Sequence, residues 1–131
     1  MEFLTNVIVG VLTGAFSSWL VTKYARFSSL RSEALRIIKR IDYVWEVKPR
    51  FSNHERATSN LHAIASDLLY LGHKRAGEDL LRINQELSLA LQEAQGGAIS
   101  YEAFDKRYGT LQSSIRQLLP TPRALFWGFA V

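Results

Sequence analysis

The chain contains no cysteine. Disulfide bridges, thiolate nucleophiles and thiolate-built metal sites are therefore excluded, which suits a reducing compartment. Proline is confined to Pro49, Pro120 and Pro122, where it ends helical runs. No Gly-rich phosphate loop, no H-E-x-x-H and no G-x-S-x-G occurs, so the commonest phosphate-binding, zinc-hydrolase and nucleophile-elbow chemistries have no foothold. Strand-period alternation and internal repeats are also lacking. Net charge is modest: Lys plus Arg number 16 against 12 acids, and the resulting +4 does not by itself argue for nucleic acid.

The 131 residues are enough for one domain and an anchor. From Phe3 to Thr22 no residue is charged. Twenty helical residues at roughly 1.5 Å each cover the roughly 30 Å of hydrocarbon in a bilayer, which predicts a transmembrane helix. A cleaved signal peptide would need a basic lead and a small-x-small site. Here Glu2 precedes the run, and Trp19, Lys23 and Tyr24 lie at its end. Lys23, Arg26, Arg31, Arg36, Lys39 and Arg40 follow with only Glu33 among them, so residues 1–24 form an anchor with its N-terminus outside and the rest in the cytoplasm. The expected location is the inner (cytoplasmic) membrane, with Trp19, Lys23, Tyr24 and Arg26 at the lipid interface.

Residues 25–119 read as an all-α, antiparallel four-helix bundle. The first stripe is Leu30, Ala34, Ile37, Ile41 and Val44, ended by Pro49, with Ser28 and Ser29 as the place for a bend. A capping box from Ser52 to Glu55 opens the second helix, which carries Ala57, Leu61, Ile64, Leu68 and Leu71 up to Gly72. Ala76, Leu80, Ile83, Leu87, Ala90 and Ala94 form the third stripe, closed by Gly96 and Gly97. Tyr101, Phe104, Tyr108, Leu111, Ile115 and Leu118 form the fourth, with Gly109 as a weak point in its middle. Residues 120–131 are an apolar aromatic tail whose prolines break the helix. It is too short to cross a membrane, and it covers the bundle end, the lipid interface or a neighbouring subunit.

Little chemistry stands out. Glu78, Asp79 and Glu86 alternate with Lys74, Arg75 and Arg82 as on an ordinary solvated helix face. His54, His62 and His73 come from separate turns with no carboxylate at ligand spacing, so neither a metal nor a cofactor is expected. Arg56 and His62 lie six positions apart in the second helix. With the anchor and the basic helical bundle, this pair resembles the HEPN class of ribonucleases, and the whole chain resembles the small membrane-anchored HEPN-like accessory proteins of RNA-targeting CRISPR systems. The resemblance implies an RNA partner, with His62 as acid-base group and Arg56 stabilising phosphate charge across a dimer cleft. Ala57 stands where that class usually has a polar residue. Read from the residues alone, Arg56 is a surface cation and His62 flanks the core beside Ala65 and Leu69, without catalytic residues.

The anchor has one further feature. Asn6, Gly10, Gly14 and Ser18 recur every fourth residue, with Thr13 and Ser17 beside them. In lipid, helices associate through close approach at small residues and through interhelical hydrogen bonds, so this strip predicts a homo-oligomer. Two functional classes follow. Either the assembly lines a narrow aqueous path with Asn6, Thr13 and Ser17, as a toxin-like or phage-defence effector controlled by the bundle, or the anchor merely dimerises a module that recruits a cytosolic protein partner.

Overall fold

In the computed structural model, which describes residues 2–45 and 49–126, the chain is helical apart from one short hairpin. Helix α1 spans Glu2–Lys39, β1 Asp42–Val44 and β2 Arg50–Ser52. They are followed by α2 at His54–Tyr70, α3 at Lys74–Gln95, α4 at Tyr101–Arg116 and a short α5 at Pro122–Phe126.

α1 is a single helix of 38 residues, about 57 Å long at 1.5 Å per residue. Ser28 and Ser29, the place expected for a bend, lie within the unbroken helix, where Phe27 and Leu30 on either side already face a core. The boundary at residue 24 therefore falls inside continuous helix. Burial on α1 begins at Phe27 and continues through Leu30, Ala34 and Ile38.

These four residues share one core with Leu61 and Leu68 of α2, Leu80 and Leu87 of α3, and Phe104 and Ile115 of α4. Each fully buried side chain of this size contributes roughly 1.5–3 kcal/mol relative to exposure. Helices α2 and α3 pack most intimately, because Gly77 lets the backbones approach. A Cβ there would stand 2.7 Å from Leu69 Cγ and 3.1 Å from the Ala65 carbonyl. Tyr108 donates its hydroxyl to the Ile38 carbonyl, and Arg31 donates to the Leu118 carbonyl at 2.9 Å. Numbers thus fall along α4 as they rise along α1.

The first stripe was expected to stay helical through Val44. Instead α1 ends at Lys39, and Asp42–Val44 pairs antiparallel with Arg50–Ser52, Tyr43 opposite Phe51. The cause is non-local. Tyr43, Phe51 and Trp45 all close on Phe104, with ring centroids at 5.2, 5.2 and 5.8 Å. Cross-strand aromatic contact of this kind stabilises a short ladder where propensity alone would not. Val44 is accordingly exposed.

The capping box at Ser52 does not form either. Ser52 is the last residue of β2, and the N-cap is Asn53, held at φ 62° without a side-chain cap bond. Leu71, expected in the core, is at the surface. Gly72 and Gly97 end α2 and α3 in the left-handed region, at φ 91° and 75°. α4 opens with Ser100 accepting from the Ala103 N–H at 3.2 Å, and it passes through Gly109 without a break. In the tail, Pro122 begins a helix rather than ending one, as its fixed φ allows at a first helical position.

Candidate functional site

The N-terminal half of α1 is long and apolar enough to cross a membrane, and none of its apolar window is buried against the rest of the chain. That separates it from the core helix of a globular domain, whose apolar face would be covered. Asn6, Gly10, Thr13, Gly14, Ser17 and Ser18 are all exposed. Added Cβ atoms at Gly10 and Gly14 would meet nothing within 4 Å. Positions four apart drift by about 40° around a helix, so Asn6 to Ser18 form one slowly winding strip about 18 Å long. At its C-terminal end Thr22 donates its hydroxyl to the Ser18 carbonyl at 2.8 Å, satisfying that polar group within the helix.

Of the expected interface residues, Trp19 and Lys23 form a stack with Nζ 4.8 Å from the ring, whereas Tyr24 and Arg26 are exposed. Lys23 also reaches the tail. Its Nζ donates to the Ala124 carbonyl at 3.0 Å, and Phe16 stacks on Phe126 at 5.8 Å. α5 is therefore docked against α1 where the apolar half meets the bundle. Residues 127–131, the rest of the expected aromatic tail, lie outside the described residues.

This junction contains groups that periodicity did not single out. His73 is 2% exposed, packs tilted against the Phe27 ring with centroids 4.8 Å apart and accepts the Thr121 N–H on Nδ1 at 3.0 Å. Burial lowers its pKa below the usual histidine range, and the nearby Lys23 charge acts in the same direction. Arg31, which caps the Leu118 carbonyl, lies 5.5 Å from the Phe27 ring. The only sequence signal was the position of His73 directly after Gly72, at the turn between two helices.

The pair raised by the resemblance is dispersed on the chain's surface. Arg56 and His62 are both exposed on α2, about 120° apart around the helix. Arg56 lines a cavity of about 120 Å³ with Ile37, Arg40, Asn53, Ala57 and Asn60, and His62 is not part of it. His62 does not flank the core as expected: it is exposed, and so is Leu69. His54 and His73 sit at the opposite ends of α2, so the three histidines do not meet.

Comparison with protein-family models, curated proteins and solved structures returned no match. The functional reading therefore rests on the geometry of α1 and its junction. On α3, Arg82 and Asp79 form an exposed pair at 3.6 Å, in keeping with a solvated face.

Proposed function

We propose that this is a small single-pass protein of the inner membrane that assembles with its own copies through the Asn6 to Ser18 strip. Its core-forming helices make an up-and-down four-helix bundle on the cytoplasmic side. The positive charges that follow Thr22 support that orientation. The observation that carries the reading is the continuity of α1: the helix that bears the exposed polar strip is also a wall of the bundle core, through Phe27, Leu30, Ala34 and Ile38. A rotation or tilt imposed on the bundle would be transmitted along a rigid rod to Asn6, Thr13 and Ser17. The function that uses this coupling is a membrane-permeabilising effector, with the bundle as its control element.

The purified full chain in a planar bilayer tests it. Discrete currents are expected, and Asn6→Leu should reduce conductance more than it reduces assembly. Assembly without any current would instead favour an anchored module that recruits a cytosolic partner. That second reading draws on the basic cavity at Arg40 and Arg56, because no ion pair among the described residues involves either arginine. An RNA partner, implied by the HEPN resemblance, would use Arg56 and His62.

A further inference from the structure

An open cavity of about 470 Å³ lies beside the inner end of the apolar segment, lined by Lys23, Tyr70, Leu71, Gly72, Arg123 and Ala124. Three elements converge on it: α1 through Lys23, the α2–α3 turn through Tyr70 to Gly72, and α5 through Arg123 and Ala124. Two of the lining groups are cations and none is an acid. The ion pairs among the described residues are Arg82–Asp79 and Arg107–Glu93, so neither Lys23 nor Arg123 has its charge neutralised there.

The apolar surroundings are as unusual as the charge. Tyr70 is 92% exposed, Phe126 46% and Leu71 36%. A phenol and aliphatic side chains presented to bulk water at one end of a bundle are unfavourable, but the same groups suit the headgroup region of a bilayer, where an amphipathic ring has one dry and one wet side. Lys23 directly follows the apolar run Phe3 to Thr22, which places its ammonium at headgroup depth when that run crosses the membrane.

We infer that this cavity binds the phosphate-bearing headgroup of an anionic phospholipid, with Lys23 and Arg123 holding the phosphate and with Tyr70 and Leu71 bordering the acyl region. The inference rests on the membrane-spanning reading of α1. Its volume lies within the usual range of ligand pockets, roughly 300–1,000 Å³. Docking of α5 through Lys23 Nζ and the Ala124 carbonyl keeps Arg123 on the cavity wall, so the tail helix is part of the lipid site rather than only a lid on the core.

The full chain is reconstituted into nanodiscs of equal phosphatidylglycerol and phosphatidylcholine, and the lipids retained on release are weighed by native mass spectrometry. The wild type should retain phosphatidylglycerol preferentially. Arg123→Gln, an exposed change that leaves the core intact, should cut that preference roughly fivefold, the usual effect of one cation near an anionic headgroup. Lys106→Gln, on α4, should leave it unchanged. In detergent, short-chain phosphatidylglycerol should raise the melting temperature where inorganic phosphate does not. Incorporation without phosphatidylglycerol preference, a preference indifferent to Arg123→Gln, or an equal shift from inorganic phosphate would overturn the lipid site alone. Failure to incorporate into nanodiscs would overturn the membrane reading and the site with it.

Discussion

His73 Nδ1 accepts the Thr121 backbone N–H at 3.0 Å, joining the α2–α3 turn to the segment that leads into α5. The bond requires a neutral imidazole with its Nδ1 lone pair free. Because burial depresses the folded-state pKa, the unfolded chain binds the proton more readily in the window below the ordinary value of 6.5. Stability conferred by His73 is thus complete above that value and declines as pH falls towards the depressed folded pKa. Thermal melts across this range should show a lower transition temperature at acid pH. His73→Gln should flatten the part of the profile due to this residue, and an unchanged slope would assign the acid loss to other groups.

Gly77→Ala is expected to destabilise the bundle by about 1–3 kcal/mol, as overpacking of a close helix contact does. The new methyl would collide with Leu69 Cγ and crowd the Ala65 carbonyl, which belongs to backbone and cannot swing away. Chemical denaturation measures the difference. Gly109→Ala, exposed on α4 with nothing within 4 Å of its Cβ, should stabilise the protein slightly.

Phe104 is fully buried beneath Tyr43, Trp45, Phe51 and Tyr108. Phe104→Ala should cost about 3–5 kcal/mol, and the amides of β1 and β2 should lose hydrogen-exchange protection before those of α2 and α3. Equal loss everywhere would mean that the hairpin does not depend on this ring.

Gly14→Leu should shift crosslinked species in native membranes towards monomer, since a branched side chain would separate the helices that the proposed assembly brings together at the strip. Val11→Leu and Leu12→Ala, on other faces, should be tolerated. An oligomer distribution that ignores Gly14→Leu but responds to Val11 or Leu12 would place the contact on another face.

His62→Ala should leave the cellular phenotype of the full chain intact, because the ring is exposed and separate from the cavity at Arg56. Loss of activity in a variant that still folds and assembles would move the ribonuclease reading ahead of the membrane effector.

Local pattern alone determined much of this protein. The twenty uncharged residues from Phe3 to Thr22 read as a long apolar helix, as found, and the three-and-four spacing of Ala76, Leu80, Ile83, Leu87, Ala90 and Ala94 places each of them in the core, where all six are buried. The turns at Gly72 and Gly97 were equally legible, since a positive φ calls for glycine. What tertiary structure decided lies where partners are distant in sequence. Ile41 and Val44 continue a helical spacing, yet Phe104, some sixty residues on, draws Tyr43 and Phe51 into a ladder, because packing three rings together outweighs about one more turn of helix. Likewise nothing near His73 or Lys23 announces a bond to Thr121 or Ala124; those contacts exist because α1 runs unbroken past residue 24, so Lys23, Phe27 and the segment leading into α5 meet at the same turn.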